Sequence, residues 1–335
     1  VNRAETASRP NATVLIGLLT AAVAGSLIGF ALTATEPVEG VAVASEAVSA
    51  GIPVARAVMN VAAVATIGLA LLPVLLGRER PNLTTPLLAA TRPAAIGAAG
   101  VWAAAATTTL LLQSAEYHPT NPDVAAYVAD VSAGKALVLV AALALTLAVL
   151  GGVTLWRPSA VPPEVRVGLG LFALLPLPVT GHATGWSMHE YATISIELHV
   201  LAAVTWTGGL GAIAAVLAGN RTLLATALPR FSTLATVCLV AVTVTGAFNA
   251  FVELDAQPGS TLVASLFGTP YGLLVLLKVG CLAAAAALGG YLRMRLLPQV
   301  LRHRRTALAR WATLELTVLG LAFGFAVVLT RTAPG

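Results

Sequence analysis

The sequence predicts an all-α protein, a polytopic transmembrane bundle of about nine helices. Composition is the first reason. Of its 335 residues, 58% are hydrophobic and only 10% are charged, against roughly 25% charged in ordinary soluble domains. The second is that apolar runs near 20 residues long, the length that crosses a bilayer, recur along the whole chain. The third is that acids and bases fall on alternate connections. Such a chain cannot supply the polar surface of a soluble globule. That excludes a cytosolic enzyme, a disordered protein and a nucleic-acid binder, and makes the lipid bilayer its first partner.

Nine segments qualify: 12–35, 55–76, 93–113, 134–155, 165–181, 193–218, 231–254, 271–292 and 309–330. The first follows Arg3 and Arg9, as a signal peptide would. Its apolar stretch of about 22 residues exceeds a signal core of roughly 7–15, so an uncleaved helix is expected, with eight helices remaining if it is removed. The fifth is the shortest and contains Pro176 and Pro178. Prolines kink a helix but are tolerated in membranes where neighbours satisfy the freed carbonyls. The connections at 114–133 and 255–270 are rich in Pro, Asp, Ser and Gly and read as surface loops. Cys238 and Cys281 lie in apolar runs and read as buried thiols. The chain divides into a four-helix region over 1–160 and a five-helix region over 161–335.

Charge predicts the orientation. With the N-terminus in the cytoplasm, the inner connections hold all 19 basic residues except Arg56, Lys135, Lys278 and Arg331. This is the positive-inside pattern of a multi-pass membrane protein, and nine helices then leave the C-terminus outside. The outer side collects all 14 acids except Glu5, Glu79, Glu164 and Glu315. Solvated loops are one explanation, and a mouth that attracts cations is the other.

Ionisable groups at membrane depth carry the functional signal. His182 ends the fifth segment, Met188, His189 and Glu190 follow in the short outer connection, and Glu197 and His199 open the sixth segment. Imidazole suits copper and zinc, and a thioether suits Cu(I). The candidate metal ligands are therefore His182, His189 and His199, joined by Met188 and Glu197, with copper, as Cu(I), the expected ion. Interfacial histidines bonded to loop carbonyls are the plainer reading of the same spacing. His303 lies in the basic inner loop and reads as solvated.

Trp206 lies seven residues after His199, on the same helix face, and Gly208 and Gly209 follow it. Small residues there admit a neighbouring helix, or leave a narrow passage. Asn249 and Glu253 lie one turn apart, and Lys278 enters from the same outer side. With Trp206 and the two glycines they form a candidate transport path or cavity. An ion pair between Lys278 and Glu253 or Glu197 is the alternative. Glu315 lies near the inner start of the last segment, where Arg310 is the expected partner.

These residues carry a resemblance. Gly181-His182-Ala183, His189, and His199 with Trp206-Thr207-Gly208-Gly209-Leu210 are followed by Arg230-Phe231-Ser232, Thr245-Gly246, Thr269-Pro270-Tyr271-Gly272, Leu277-Lys278 and Glu315. In that order the chain resembles the copper resistance protein D family of bacterial inner-membrane proteins, most clearly from about residue 165 to 330. The resemblance implies a protein that moves copper from the outer side toward the cytoplasm. It also implies a secreted copper-binding protein or a respiratory oxidase as partner. The chain has neither a GxxxxGK[ST] loop nor an aspartyl-phosphate signature, so a non-enzymatic protein is expected. Three other readings stay open: copper delivery to an oxidase, b-type haem electron transfer through His182 and His199, and a solute transporter using Glu197, Glu253 and Lys278 as proton relays.

Overall fold

The computed structural model describes residues 12–34, 44–77, 79–179, 189–255, 261–302 and 307–332. Among them, eight helices are long and apolar enough to cross a membrane. In chain order the helices are α1 (Ala12–Leu32), α2 (Glu46–Leu76), α3 (Pro81–Tyr117), α4 (Val124–Asp130), α5 (Ser132–Trp156), α6 (Pro163–Phe172) and α7 (Pro176–Val179). They continue with α8 (His189–Ala212), α9 (Arg221–Asp255), α10 (Leu262–Gly268), α11 (Pro270–Tyr291), α12 (Leu297–Leu301) and α13 (Leu308–Leu329). One π-helical turn extends α8 over Ile213–Leu217, and another joins α11 to α12 over Leu292–Leu296.

The fifth predicted segment is broken. It forms α6, a turn over 173–175, and the four-residue α7. Pro176 and Pro178 are the physical reason. Each lacks the N–H that would continue the ladder, and its ring crowds the preceding turn. The chain still returns here from one end of the bundle to the other, because α5 and α8 both run away from the acid-rich end.

Several helices overrun the predicted spans. α3 begins at Pro81, not near 93, and α9 begins at Arg221, not near 231. The 37 residues of α3 rise about 55 Å at 1.5 Å each, beyond a hydrocarbon core of about 30 Å. Hydropathy marks the part in lipid; the backbone ladder runs on into water. The two expected surface loops each hold a short capped helix. Asp123 caps α4 by accepting from the Ala126 N–H at 3.0 Å, and Thr261 caps α10 by accepting from the Ala264 N–H.

Charged side chains tie the ends. At the acid-rich end, Arg331 pairs with Glu116 at 2.6 Å and Arg56 donates to the Thr330 hydroxyl. At the basic end, Arg230 donates to the Leu75 carbonyl at 3.1 Å and pairs with Glu79 at 2.6 Å. Gly77 between them has φ +67°, and a Cβ there would sit 2.6 Å from the Arg230 guanidinium. Glycine meets both demands.

Small residues make the helix contacts. α1 runs parallel to α13, where a Cβ on Gly324 would lie 2.3 Å from the Ala22 carbonyl oxygen and one on Gly320 2.6 Å from that of Leu18. This is a small-xxx-small interface, and it makes α1 a packed member of the bundle. At the centre, α2 crosses α8. A Cβ on Gly68 would lie 2.1 Å from the Gly208 carbonyl oxygen, and one on Gly208 2.6 Å from that of Val64. α2 and α8 are the most enclosed spans and α9 the most lipid-exposed. Val237, Val240 and Val244 point outward along α9, as a lipid-facing row does.

The crossing yields a stability prediction. Gly208→Ala should destabilise the detergent-solubilised protein by about 1–3 kcal/mol, the usual cost of overpacking. Gly280→Ala, in open space on α11, should be neutral or stabilising because alanine is the better helix former. Thermal melts of the two variants against wild type check this.

Candidate functional site

The upper part of the site is the α8–α9 contact in the acid-rich half. α8 presents Ser195 and His199 to α9, which answers with Thr245 and Gly246. The Ser195 hydroxyl donates to the Thr245 carbonyl at 3.3 Å, and His199 Nδ1 lies 3.0 Å from Thr245 Oγ1. A Cβ at residue 246 would sit 3.1 Å from His199 Cε1. Glycine therefore makes the notch that admits the ring.

The hydrogen bonds assign the tautomer. Thr245 has one hydroxyl proton, and it donates to the Ala241 carbonyl at 2.5 Å. Toward His199 it can then only accept, so Nδ1 carries the hydrogen. The lone pair of a neutral His199 is left on Nε2. A ring oriented by an oxygen on one nitrogen is how metal-ligating histidines are usually held, and a backbone hydrogen bond with Val242 also acts on this ring.

Around this ring the structure gathers part of the predicted set. Lys278 of α11 is half-buried and within electrostatic range of His199. Asn249 lies one turn beyond Thr245, and its Oδ1 is buried with no hydrogen-bond partner among the described residues. Glu253 is a turn further and within electrostatic range of Tyr271. Glu197 is half-buried on α8. Two residues of helix turn it about 200° from His199, to the other side of α8. The backbone positions of His189 and His199 are separated by ten helical residues, about 15 Å of rise. His182 and Met188 lie outside the described residues, as does the side chain of His189. Among the described residues, no three His, Cys, Asp or Glu side chains form a group able to hold a metal ion.

The lower part lies in the basic half. Seven residues below His199, about 10 Å of rise, the buried Trp206 indole N–H donates to Glu315 Oε1 at 3.2 Å. Glu315 is 2% exposed. Its Oε2 is buried without a hydrogen-bond partner among the described residues. Gly289 of α11 makes the room, since a Cβ there would sit 3.3 Å from Oε1. The expected partner, Arg310, is not the one found. Five residues along a helix is about 500°, which turns Arg310 to another face. The carboxyl borders a cavity of about 250 Å³ lined also by Leu210, Phe231, Leu239 and Arg293.

The glycines below Trp206 are filled by neighbours. Gly208 meets the α2 backbone, and a Cβ on Gly209 would sit 2.6 Å from the Phe231 ring. Sequence reasoning noted Glu315 but missed its partner. The available signal was its position as the one acid within the last predicted segment.

Two family models match the chain. The model described as copper resistance protein D covers residues 225–329. The model described as copper resistance protein D-like, N-terminal domain, covers residues 45–187. Together they cover α2 to α7 and nearly all of α9 to α13, while α1 and α8 lie outside both matched ranges. Comparison with curated proteins and with solved structures returns no match.

Proposed function

Starting from the fact that the chain belongs to the copper resistance protein D family and is a copper-handling membrane protein, we propose that it carries copper(I) from its acid-rich end toward its basic end. The acid-rich end faces outward, with the N-terminus in the cytoplasm and the C-terminus outside. The arginines crowding the opposite end support that orientation. His182, Met188 and His189 capture the ion at the mouth and pass it about 15 Å inward to His199. Outer acids such as Asp130 and Glu253 raise the local cation concentration.

The observation that carries this reading is the Thr245–His199 bond, which leaves Nε2 as the ring's lone-pair nitrogen. Copper(I) accepts low coordination numbers and neutral nitrogen ligands. Lys278 nearby opposes permanent retention of a cation, so the site favours transit. The enclosed path below follows α8 past Trp206, with Asn249, Glu253 and Lys278 on the facing helices above it. The Gly208 and Gly209 contacts hold α8 in place along that path.

Two measurements test the proposal. In detergent, Thr245→Val should weaken copper(I) binding by about 10–100-fold, the usual cost of losing a ligand's supporting bond. His199→Ala should weaken it further, and both variants should fail to load proteoliposomes that wild-type protein loads with copper. Stoichiometric binding by wild type without uptake would end the claim of passage. For orientation, a cysteine introduced at Thr261 should react with an impermeant reagent in intact cells, and one at Ala307 should not, in a chain with Cys238 and Cys281 replaced by Ser. The reverse pattern would invert the assignment.

A further inference from the structure

We propose that Glu315 carries an exchangeable proton and that the cavity beside it is a second cation station, where a monovalent cation replaces that proton. This deepens the copper reading and rests on it. It assigns an inner site and a form of charge balance that the family match does not contain.

The argument begins with cost. Glu315 is 2% exposed, and its carboxyl has one neutral donor, the Trp206 indole, on Oε1. The residue borders the cavity, and its Oε2 is buried with no partner among the described residues. An ionised carboxylate there would have no compensating cation, and burial of an unpaired charge costs several kcal/mol or more. The acid is therefore neutral at rest, with its proton on Oε2 and Oε1 free to accept from the indole.

The surrounding charges do not remove this conclusion. The described part of α1, which packs along α13, has no ionisable residue. The ionisable residues of α2, Glu46 and Arg56, lie at the acid-rich end. Those of α8 lie at His199 or above it. On α9, Cys238 is buried away in the apolar core and Arg230 is held by Glu79 and the Leu75 carbonyl. On α11 and the turn after it, Lys278 is at the level of His199, Tyr291 stacks on Trp311, and Arg293 reaches the cavity. Arg293 is turned to α9, donating to the Ser232 carbonyl at 3.4 Å and to the Thr236 hydroxyl.

The chemistry follows from that geometry. A cation arriving in the cavity beside the Glu315 carboxyl restores the stability of the carboxylate, and the proton leaves. One monovalent ion enters and one proton departs, so the net charge of the cavity is unchanged. A divalent ion would add an uncompensated charge close to Arg293. The carboxylate is a weak ligand for copper(I) compared with imidazole. Weak binding suits a station that an ion must leave.

Infrared difference spectroscopy of the full-length protein in lipid nanodiscs tests this, comparing samples with and without copper(I) kept reduced by ascorbate. The wild type should show a protonated-carboxyl C=O band that disappears on copper addition, with about one proton released per ion at this site. Glu315→Gln should lack the band and release no such proton, yet still bind copper at His199. Glu315→Asp should keep the band at a shifted frequency, which separates loss of the acid from loss of the fold. A wild-type spectrum identical to that of Glu315→Gln would overturn the inference. So would a band that persists while His199-dependent copper binding saturates; that result would leave the copper reading standing. Absence of any His199-dependent copper binding would overturn both.

Discussion

Backbone contact between α2 and α8 at Gly68 and Gly208 governs the arrangement of everything that matters for function. Lipid offers helices no hydrophobic drive to associate, so close packing and polar contacts must supply it. With no Cβ at either position, the two most enclosed spans touch main chain to main chain. That contact locates α8. Above it α8 holds His199 against α9, and just beside it holds Trp206 against α13. One helix thereby carries a neutral imidazole in one half and the partner of a buried acid in the other.

The two polar stations differ in kind. His199 sits in a notch at Gly246 with its N–H taken by a threonine whose own proton is committed elsewhere. The arrangement selects one ring nitrogen without any charge. Glu315 sits against Gly289 with a single indole donor and borders the cavity. A histidine above and a buried acid below lie about two helix turns apart along α8 and its neighbour.

Much of the fold was legible because hydropathy and arginine placement act without reference to partners. Eight of the nine predicted segments appear as long apolar helices. Helix ends were not legible, since α3 and α9 continue past the bilayer once lipid no longer dictates composition. The fifth segment was apolar enough on average but held two prolines close together, and there the backbone rule outweighed the hydropathy. In the site, His199 and Trp206, seven residues apart on α8, meet different helices, α9 and α13. The partner of Glu315 was not legible, because it comes from a helix 109 residues earlier in sequence. Thr245 gave no sign of its role either: only the α8–α9 register shows that its hydroxyl is the acceptor for His199.

The central claim is that copper meets the chain through an imidazole nitrogen held ready by Thr245. X-ray absorption at the copper edge of the copper(I)-loaded protein tests it most directly. The account predicts a low-coordinate ion with imidazole scattering that weakens in His199→Ala and is unchanged in Trp156→Phe, a substitution at an exposed position at the end of α5. A copper environment with no imidazole contribution, or one that His199→Ala leaves unaltered, would contradict it.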